Sequence, residues 1–255
     1  MRACVTAVLL QLLLSGSQAI QCRAVAGQLH QIDASVGQVF GTNADNMIFT
    51  LYGDHWNHLP GSLKHVTVGP SGVWGISSAN IIFKLVGANW VQVTGQLQQI
   101  DAGGDQFMAG VSTVGSIFCL DQQTTVGFKG PGSNVSWHGI PGVLKYQSCG
   151  PLGCWGVNFD DNIFVLLGVS PQNCQGAGGW QLVDGGLSML EVGSDGSVYG
   201  VNSAGTVYRR DEITSRNPAG TGWTELRECG KSKHVSFDLG HLWVITQYNQ
   251  ILDCS

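Results

Sequence analysis

Charge is scarce in this chain. Asp, Glu, Lys and Arg make up 11% of its 255 residues, well under the usual quarter or so. Only twelve are Lys or Arg, against seventeen Asp and Glu, for a formal net charge of −5. No basic stripe exists, which argues against nucleic acid and against an anionic membrane surface. Long apolar runs are also lacking. The one run, Cys4 to Leu14, is too short to span a bilayer, and no second follows. A nucleophile elbow and a Gly-rich phosphate loop are absent from the sequence.

The short run has another reading. Met1-Arg2 gives a positive start, and Ser17-Gln18-Ala19 puts small residues where a signal peptidase reads them. This is the pattern of a secretory leader, with cleavage expected after Ala19. The leader is 1–19 and the mature domain 20–255. The mature chain enters an oxidising space, where disulfides persist. What the chain has in excess is glycine, 37 of 255 residues, about twice the average usage of roughly 7%. Glycine weakens helices by about 1 kcal/mol per site and suits short strands joined by tight turns.

A repeat emerges from spacing. An apolar residue and Gly are followed, seven positions after the Gly, by an apolar pair. Phe40-Gly41 leads to Ile48-Phe49, Trp74-Gly75 to Ile82-Phe83, and Ala109-Gly110 to Ile117-Phe118. Trp155-Gly156 leads to Ile163-Phe164 and Tyr199-Gly200 to Val207-Tyr208. Trp243-Val244 leads to Ile251-Leu252, with Val in place of Gly. A Leu precedes the Gly in five units: Leu29, Leu63, Leu97, Leu144 and Leu187. A Trp follows the pair in five: Trp56, Trp90, Trp137, Trp180 and Trp223. Its periodicity favours packing between units over a ligand role. Each unit reads as four short strands, with repeats starting near 29, 63, 97, 144, 187 and 231. The fold class expected is all-β, a six-bladed β-propeller of four-stranded blades. The sixth unit lacks a fourth strand, and 21–27 precedes the first Leu with no other evident role. That segment is expected to complete blade six and close the ring, which removes exposed sheet edges.

Seven cysteines remain after the leader. Cys22 and Cys254 then fall on neighbouring strands and form a disulfide that staples the ring. Cys149 and Cys154 flank a turn, and Cys119 and Cys174 are placed to bridge blades three and four. Cys229 is left over, as a buried thiol or as a link to another chain. Zinc sites want tighter Cys/His clustering than this. His55 and His58 are three apart on a strand, face opposite sides, and read as surface histidines.

Binding candidates come from the turns. Two residues after each repeat Gly stand Asn43, Ser77, Ser112, Asn158 and Asn202, with Thr246 in unit six. Such side chains bond their own turn backbone. They also offer a ring of hydrogen-bonding groups on one face, one per blade. Asp161 enriches the same loops, and Trp74 and Trp155 hold a strand-end position whose variability permits binding as well as packing. Low charge with Trp and Asn suits neutral, hydroxyl-rich sugars. Three longer insertions, 121–136, 166–179 and 209–222, precede the Trp strand and gather on one rim. Asn134-Val135-Ser136 is an N-glycosylation sequon.

Two phrases carry a family resemblance: Cys154-Trp155-Gly156-Val157-Asn158 and Val198-Tyr199-Gly200-Val201-Asn202, followed by Ile163-Phe164 and Val207-Tyr208. They resemble the tectonin repeat. Across the mature chain, phrases such as Leu59-Pro60-Gly61-Ser62-Leu63-Lys64-His65 and Lys129-Gly130-Pro131-Gly132-Ser133 are similar to the fish egg lectin and tachylectin family. The resemblance implies a six-bladed propeller, N-acetylglucosamine-type sugar binding and recognition of microbial surfaces in innate defence. Some members that it resembles are associated with calcium. Asp160, Asp161 and Asp101 offer oxygen, but no loop has dense carboxylate spacing. The expectation is therefore a secreted, extracellular multivalent lectin, not an enzyme, with no cofactor required and calcium left open. Its partners are microbial or cell-surface glycans, with the oligomeric state, homo-oligomer included, open. The rival expectations are a protein-binding scaffold or egg-coat component, and a glycoside hydrolase. Ser194-Asp195-Gly196-Ser197 loosely matches the Asp-box turn of sialidase propellers, but this chain is poor in the arginines those enzymes need.

Overall fold

The computed structural model describes residues 18–227 and 230–255. The leader up to Ser17 and Cys229 lie outside the described residues. Strands dominate, and the one α-helix among the described residues is Gln122–Gly127, capped by Asp121. Blades one to four each follow the chain in antiparallel order. Blade one, for example, runs Gln31–Ser35, Gln38–Thr42, Ile48–Tyr52, His55–Leu59. The innermost strands of blades two to six are His65–Gly69, Gln99–Asp101, Tyr146–Gly150, Met189–Val192 and Ser232–Asp238. Each touches the next, and the sixth touches the first, so the ring is closed.

Closure is made by the two chain ends. Cys22–Gln28 is the outer strand of blade six and pairs antiparallel with Gln250–Cys254, with Cys22 opposite Cys254. The disulfide between them spans 4.0 Å from Cα to Cα. Cys119–Cys174 joins blade three to the insertion of blade four, and Cys149–Cys154 ties two strands of blade four. All three pairings are those expected from the sequence. Cys22 also stands five residues before Gly27, the spacing of Trp56 to Gly61, so blade six has the disulfide where other blades have Trp. In the full chain Gln18–Ala19, the last two residues of the expected leader, pair in parallel with Leu226 and Arg227 at the edge of blade five.

The repeat Leu and Gly are one device. Leu29, Leu63, Leu97, Leu144 and Leu187 are all buried, at 2% exposure each. A Cβ on Gly41, Gly75, Gly110, Gly156 or Gly200 would lie 2.4 or 2.5 Å from the Leu of the same blade. The glycine is required for space and not for its dihedrals. Blade six confirms this by exchange. Ser232 replaces Leu, since its N–H bonds the Gly205 carbonyl as Leu187 N–H bonds that of Asp161. There the Gly becomes Val244.

Two belts of hydrogen bonds hold the blades in register. In the first, the N–H at the Leu position reaches the preceding blade's turn: Leu29 to Asn249, Leu63 to Asn46, Leu97 to Asn80, Leu144 to Gly115, Leu187 to Asp161 and Ser232 to Gly205. All six acceptors have positive φ, between 61° and 86°, a conformation open to Asn, Asp and Gly. In the second, innermost-strand side chains accept from the next blade's backbone. Asp33 takes Val68 N–H at 2.9 Å, Thr67 takes Ala102 at 3.0 Å, and Asp101 takes Cys149 at 2.7 Å. Ser148 takes Val192 at 3.0 Å and Ser236 takes Ala34 at 2.9 Å. Glu191 completes the position and accepts from Ser148 Oγ at 2.8 Å. Acids thus alternate with hydroxyls around the channel. Burial pushes Asp33 up to about 6, and burial with the Asp33 charge pushes Asp101 up to about 8. Glu191 is raised well above the carboxylate range by the same causes.

Candidate functional site

The turn residues are occupied first by their own backbone. Asn43 Oδ1 accepts from Asp45 and Met47, Asn158 Oδ1 from Asp160 and Asn162, and Asn202 Oδ1 from Ala204 and Thr206, all at 2.9–3.1 Å. Ser77 Oγ accepts from Ile81, Ser112 Oγ from Ser116, and Thr246 Oγ1 from Tyr248 and Gln250. Each still has donors to spare: two amide hydrogens on an Asn, the hydroxyl hydrogen on Ser or Thr. Asp161 is engaged by an ion pair with Lys145. Asn134 is exposed, in the blade-three insertion. His55 and His58 are exposed, as expected.

Trp74 and Trp155 require a correction. Their exposures are 0% and 2%, so neither indole presents a face to a ligand. Each projects from a central strand into the space between sheets. Trp74 Nε1 donates to the Ser71 carbonyl at 3.0 Å and its ring meets Phe128. Trp155 meets Trp223 edge-on, with Arg210 near both rings. They are core residues.

Accessible aromatics lie instead at the seams between blades. One seam cleft, of about 200 Å3, is bounded by Gly185 and Gly186 at the end of blade four and by Leu187, Asn202, Tyr208 and Trp223 of blade five. An equivalent cleft of about 130 Å3 lies between blades two and three, with Gly95, Gln96 and Leu97 facing Phe118 and Trp137. Tyr208 and Phe118 are both second members of the apolar pair. Alternation along the strand explains the arrangement: Ile48, Ile82, Ile117, Ile163 and Val207 point inward and are buried. Phe49, Phe83, Phe118, Phe164 and Tyr208 point the other way and are half-buried.

The repeat Trp builds the second wall. Trp223 Nε1 donates to the Asp184 carbonyl at 2.8 Å and Trp137 Nε1 to that of Thr94 at 2.7 Å. A Cβ on Gly185 would lie 3.0 Å from Trp223 Nε1, and one on Gly95 2.8 Å from Trp137 Nε1. The same contact joins Gly27 to Trp56, Gly61 to Trp90 and Gly142 to Trp180. The packing role expected for these five Trp is what the structure shows. The Phe/Tyr position is absent from the sequence-derived candidates, although strand alternation within the pair is the signal for it. The clefts fall below the ~300–1,000 Å3 of pockets for drug-sized ligands, so each suits a single small ring. Each joins an aromatic face, exposed backbone and, at Asn202, an amide donor. Among the described residues no three His, Cys, Asp or Glu side chains converge as a metal site. The Asp101 carboxyl is taken up by Cys149 N–H, Gly103 N–H and Ser148.

Comparison with known proteins agrees with this architecture. The tectonin domain profile matches residues 28–247. A carp (Cyprinus carpio) protein named fish-egg lectin is 50% identical over 236 residues, covering 92% of this chain and 98% of the carp protein. Among solved structures, a virginiamycin B lyase from Staphylococcus aureus superposes with a TM-score of 0.57 at 13% identity, covering 92% of this chain and 98% of that one. The RRP9 WD40 repeats superpose with a TM-score of 0.58 at 9% identity, covering 92% and 99%. At such identities these two speak to the propeller fold alone. The profile match and the carp relative show more: the chain belongs to the tectonin family.

Proposed function

We propose that the chain is a secreted multivalent lectin whose seam clefts each hold one neutral sugar of the N-acetylglucosamine type on a microbial surface. The observation that carries this reading is one aromatic-walled cleft found at two seams of a closed ring, with the Phe or Tyr, Trp and Gly that build it recurring in other blades. The carp relative's name supports it, as do three disulfides suited to an oxidising space. In the cleft between blades four and five, the apolar face of a pyranose would lie against Tyr208. Asn202 would donate through Nδ2, because its Oδ1 is already committed to the turn. Asn43, Ser77, Ser112 and Asn158 would donate likewise at their own blades. Such a shallow site binds weakly alone. Several on one ring raise avidity by about 10²–10⁴ over a single site.

The test is retention of the natively secreted protein on immobilised N-acetylglucosamine polymer, followed by elution with the free sugar, in calcium and in chelator. Elution by the sugar is expected. Loss of retention in chelator would give calcium a role. Failure to bind this polymer and a broad glycan array would refute the lectin reading and favour a protein-binding scaffold or egg-coat component. Tyr208→Ala is expected to weaken free-sugar binding at its own cleft by up to about tenfold, on the scale of one aromatic contact. It should barely change retention on polymer, since the other seams remain.

A further inference from the structure

A cup opens at one mouth of the central channel, with a volume of about 310 Å3. The residue after the Leu position stands at the start of the innermost strand, and in five blades it lines this mouth: His30, Lys64, Gln98, Lys145 and Lys233 in blades one, two, three, four and six. The chain has six lysines in all, and half of them meet here. They stand on alternate blades, so they surround the axis at one-third-turn intervals. Each is half-buried and steered by the side chain of the residue sixteen positions on. Lys64 Nζ donates to Asn80 at 2.6 Å, Lys233 Nζ donates to Asn249 at 2.5 Å, and Lys145 pairs with Asp161. Lys233 also contacts His30 Nδ1 at 2.9 Å.

Among the described residues, only one of the three ammonium groups has a carboxylate partner. Each has N–H donors to spare beyond these bonds. They do not neutralise the acids deeper in the channel: among the described residues Asp33, Asp101 and Glu191 form no ion pair. The raised Asp101 and Glu191 carboxyls hold their protons, which leaves Asp33 as the one of these three acids that is charged at neutral pH. A buried histidine lies at the floor. His234 is 7% exposed and lines the cup, Tyr146 holds its Nε2 at 3.1 Å, and its Nδ1 has no partner among the described residues.

We propose that this cup is an anion site that receives the terminal oxygens of a phosphate or sulfate monoester, one lysine to each oxygen. Three point charges in threefold array match three equivalent oxygens, and lysine serves such groups as a point charge. The cup opens on the face that carries the seam clefts, because Asp161 and Asn202 belong to equivalent turns. A phosphorylated surface glycan could then engage both, but the anion site stands without the sugar reading.

The test is calorimetric titration of the intact secreted protein, at low ionic strength, with inorganic phosphate, inorganic sulfate, N-acetylglucosamine 6-phosphate and N-acetylglucosamine. Phosphate should bind at one site, and the sugar phosphate should bind more tightly than its neutral parent. Lys64→Gln with Lys233→Gln should weaken phosphate by at least about tenfold, as expected for charge-assisted contacts. The exposed Lys129→Gln should leave phosphate binding unchanged. If the double variant folds poorly, phosphate-induced NMR shifts of the His30, His65 and His234 rings in the wild-type protein locate the anion directly. No phosphate binding up to about 10 mM, no histidine shift, or equal loss in Lys129→Gln would overturn the proposal. Sulfate binding with no preference for the sugar phosphate would identify free oxyanions as the source. Loss of neutral sugar binding alone would count against the lectin reading and leave this one intact.

Discussion

A glycine that leaves room for one leucine is a residue-scale constraint with a built-in control. In blade four, Gly156→Ala would put a methyl 2.4 Å from Leu144 Cδ1 in a packed core, where such overpacking costs about 1–3 kcal/mol. Blade six carries the reciprocal pair, Ser232 with Val244. Leu144→Ser combined with Gly156→Val is therefore expected to recover part of the loss of Gly156→Val alone. A double-mutant cycle in urea reads the coupling, and simple additivity would contradict the pairing. At this scale the sequence is legible for spacing and poor for sidedness. Leu and Gly visibly recur, but only the structure shows that they touch. Variability at the position of Trp74 and Trp155 says nothing about exposure, and the sheets of neighbouring blades cover both indoles. Asn43, Asn158 and Asn202 are turn formers with a polar surface, as their spacing predicts. How their donors are used does not follow from sequence.

At the scale of strands and sheets, the chain is far more legible. Seven-residue spacing locates the second and third strands of each blade, and the Trp phrase locates the fourth. The unpaired end of unit six requires a partner, and Cys22–Gln28 is it. Spacing places the rim insertions but leaves their internal structure open. The helix Gln122–Gly127 arises from a local Asp121 cap, with no amphipathic pattern to announce it. The disulfides should rank by the loop each closes. Separations of 232, 55 and 5 residues correspond to about 5, 4 and 2 kcal/mol in the chain-entropy model. Paired Cys→Ser variants measured by chemical denaturation should lose stability in that order. A ring-closing pair that costs no more than Cys149–Cys154 would contradict it.

For the whole molecule, buried ionisable groups in the channel set the pH response. Folded Asp101, pushed up to about 8, keeps a proton that the unfolded chain releases near pH 4. Across that window the folded state binds more protons, so stability falls as pH rises. Burial lowers His65 to about 4 and His234 well below 6.5. These two act in the opposite sense, costing stability as pH falls below 6.5. Between 6.5 and 8 the raised carboxyls give a falling stability. Urea midpoints should decline over that interval, and Asp101→Asn, which keeps an acceptor for Cys149 N–H, should flatten the slope. An unchanged slope in the variant would assign the effect elsewhere.

The strand made first completes the sheet made last. A ribosome that has released five blades has released an open arc whose closing piece has been waiting, unpaired, since the start of synthesis. The ring can therefore finish folding only after Cys254 has emerged, and its folding time should include one long-range search that no earlier blade can shorten. A chain cut short before the last strand leaves both its final sheet and Cys22 without partners. Truncated copies are thus marked by a free thiol near the amino end, a chemical label that separates incomplete product from finished ring.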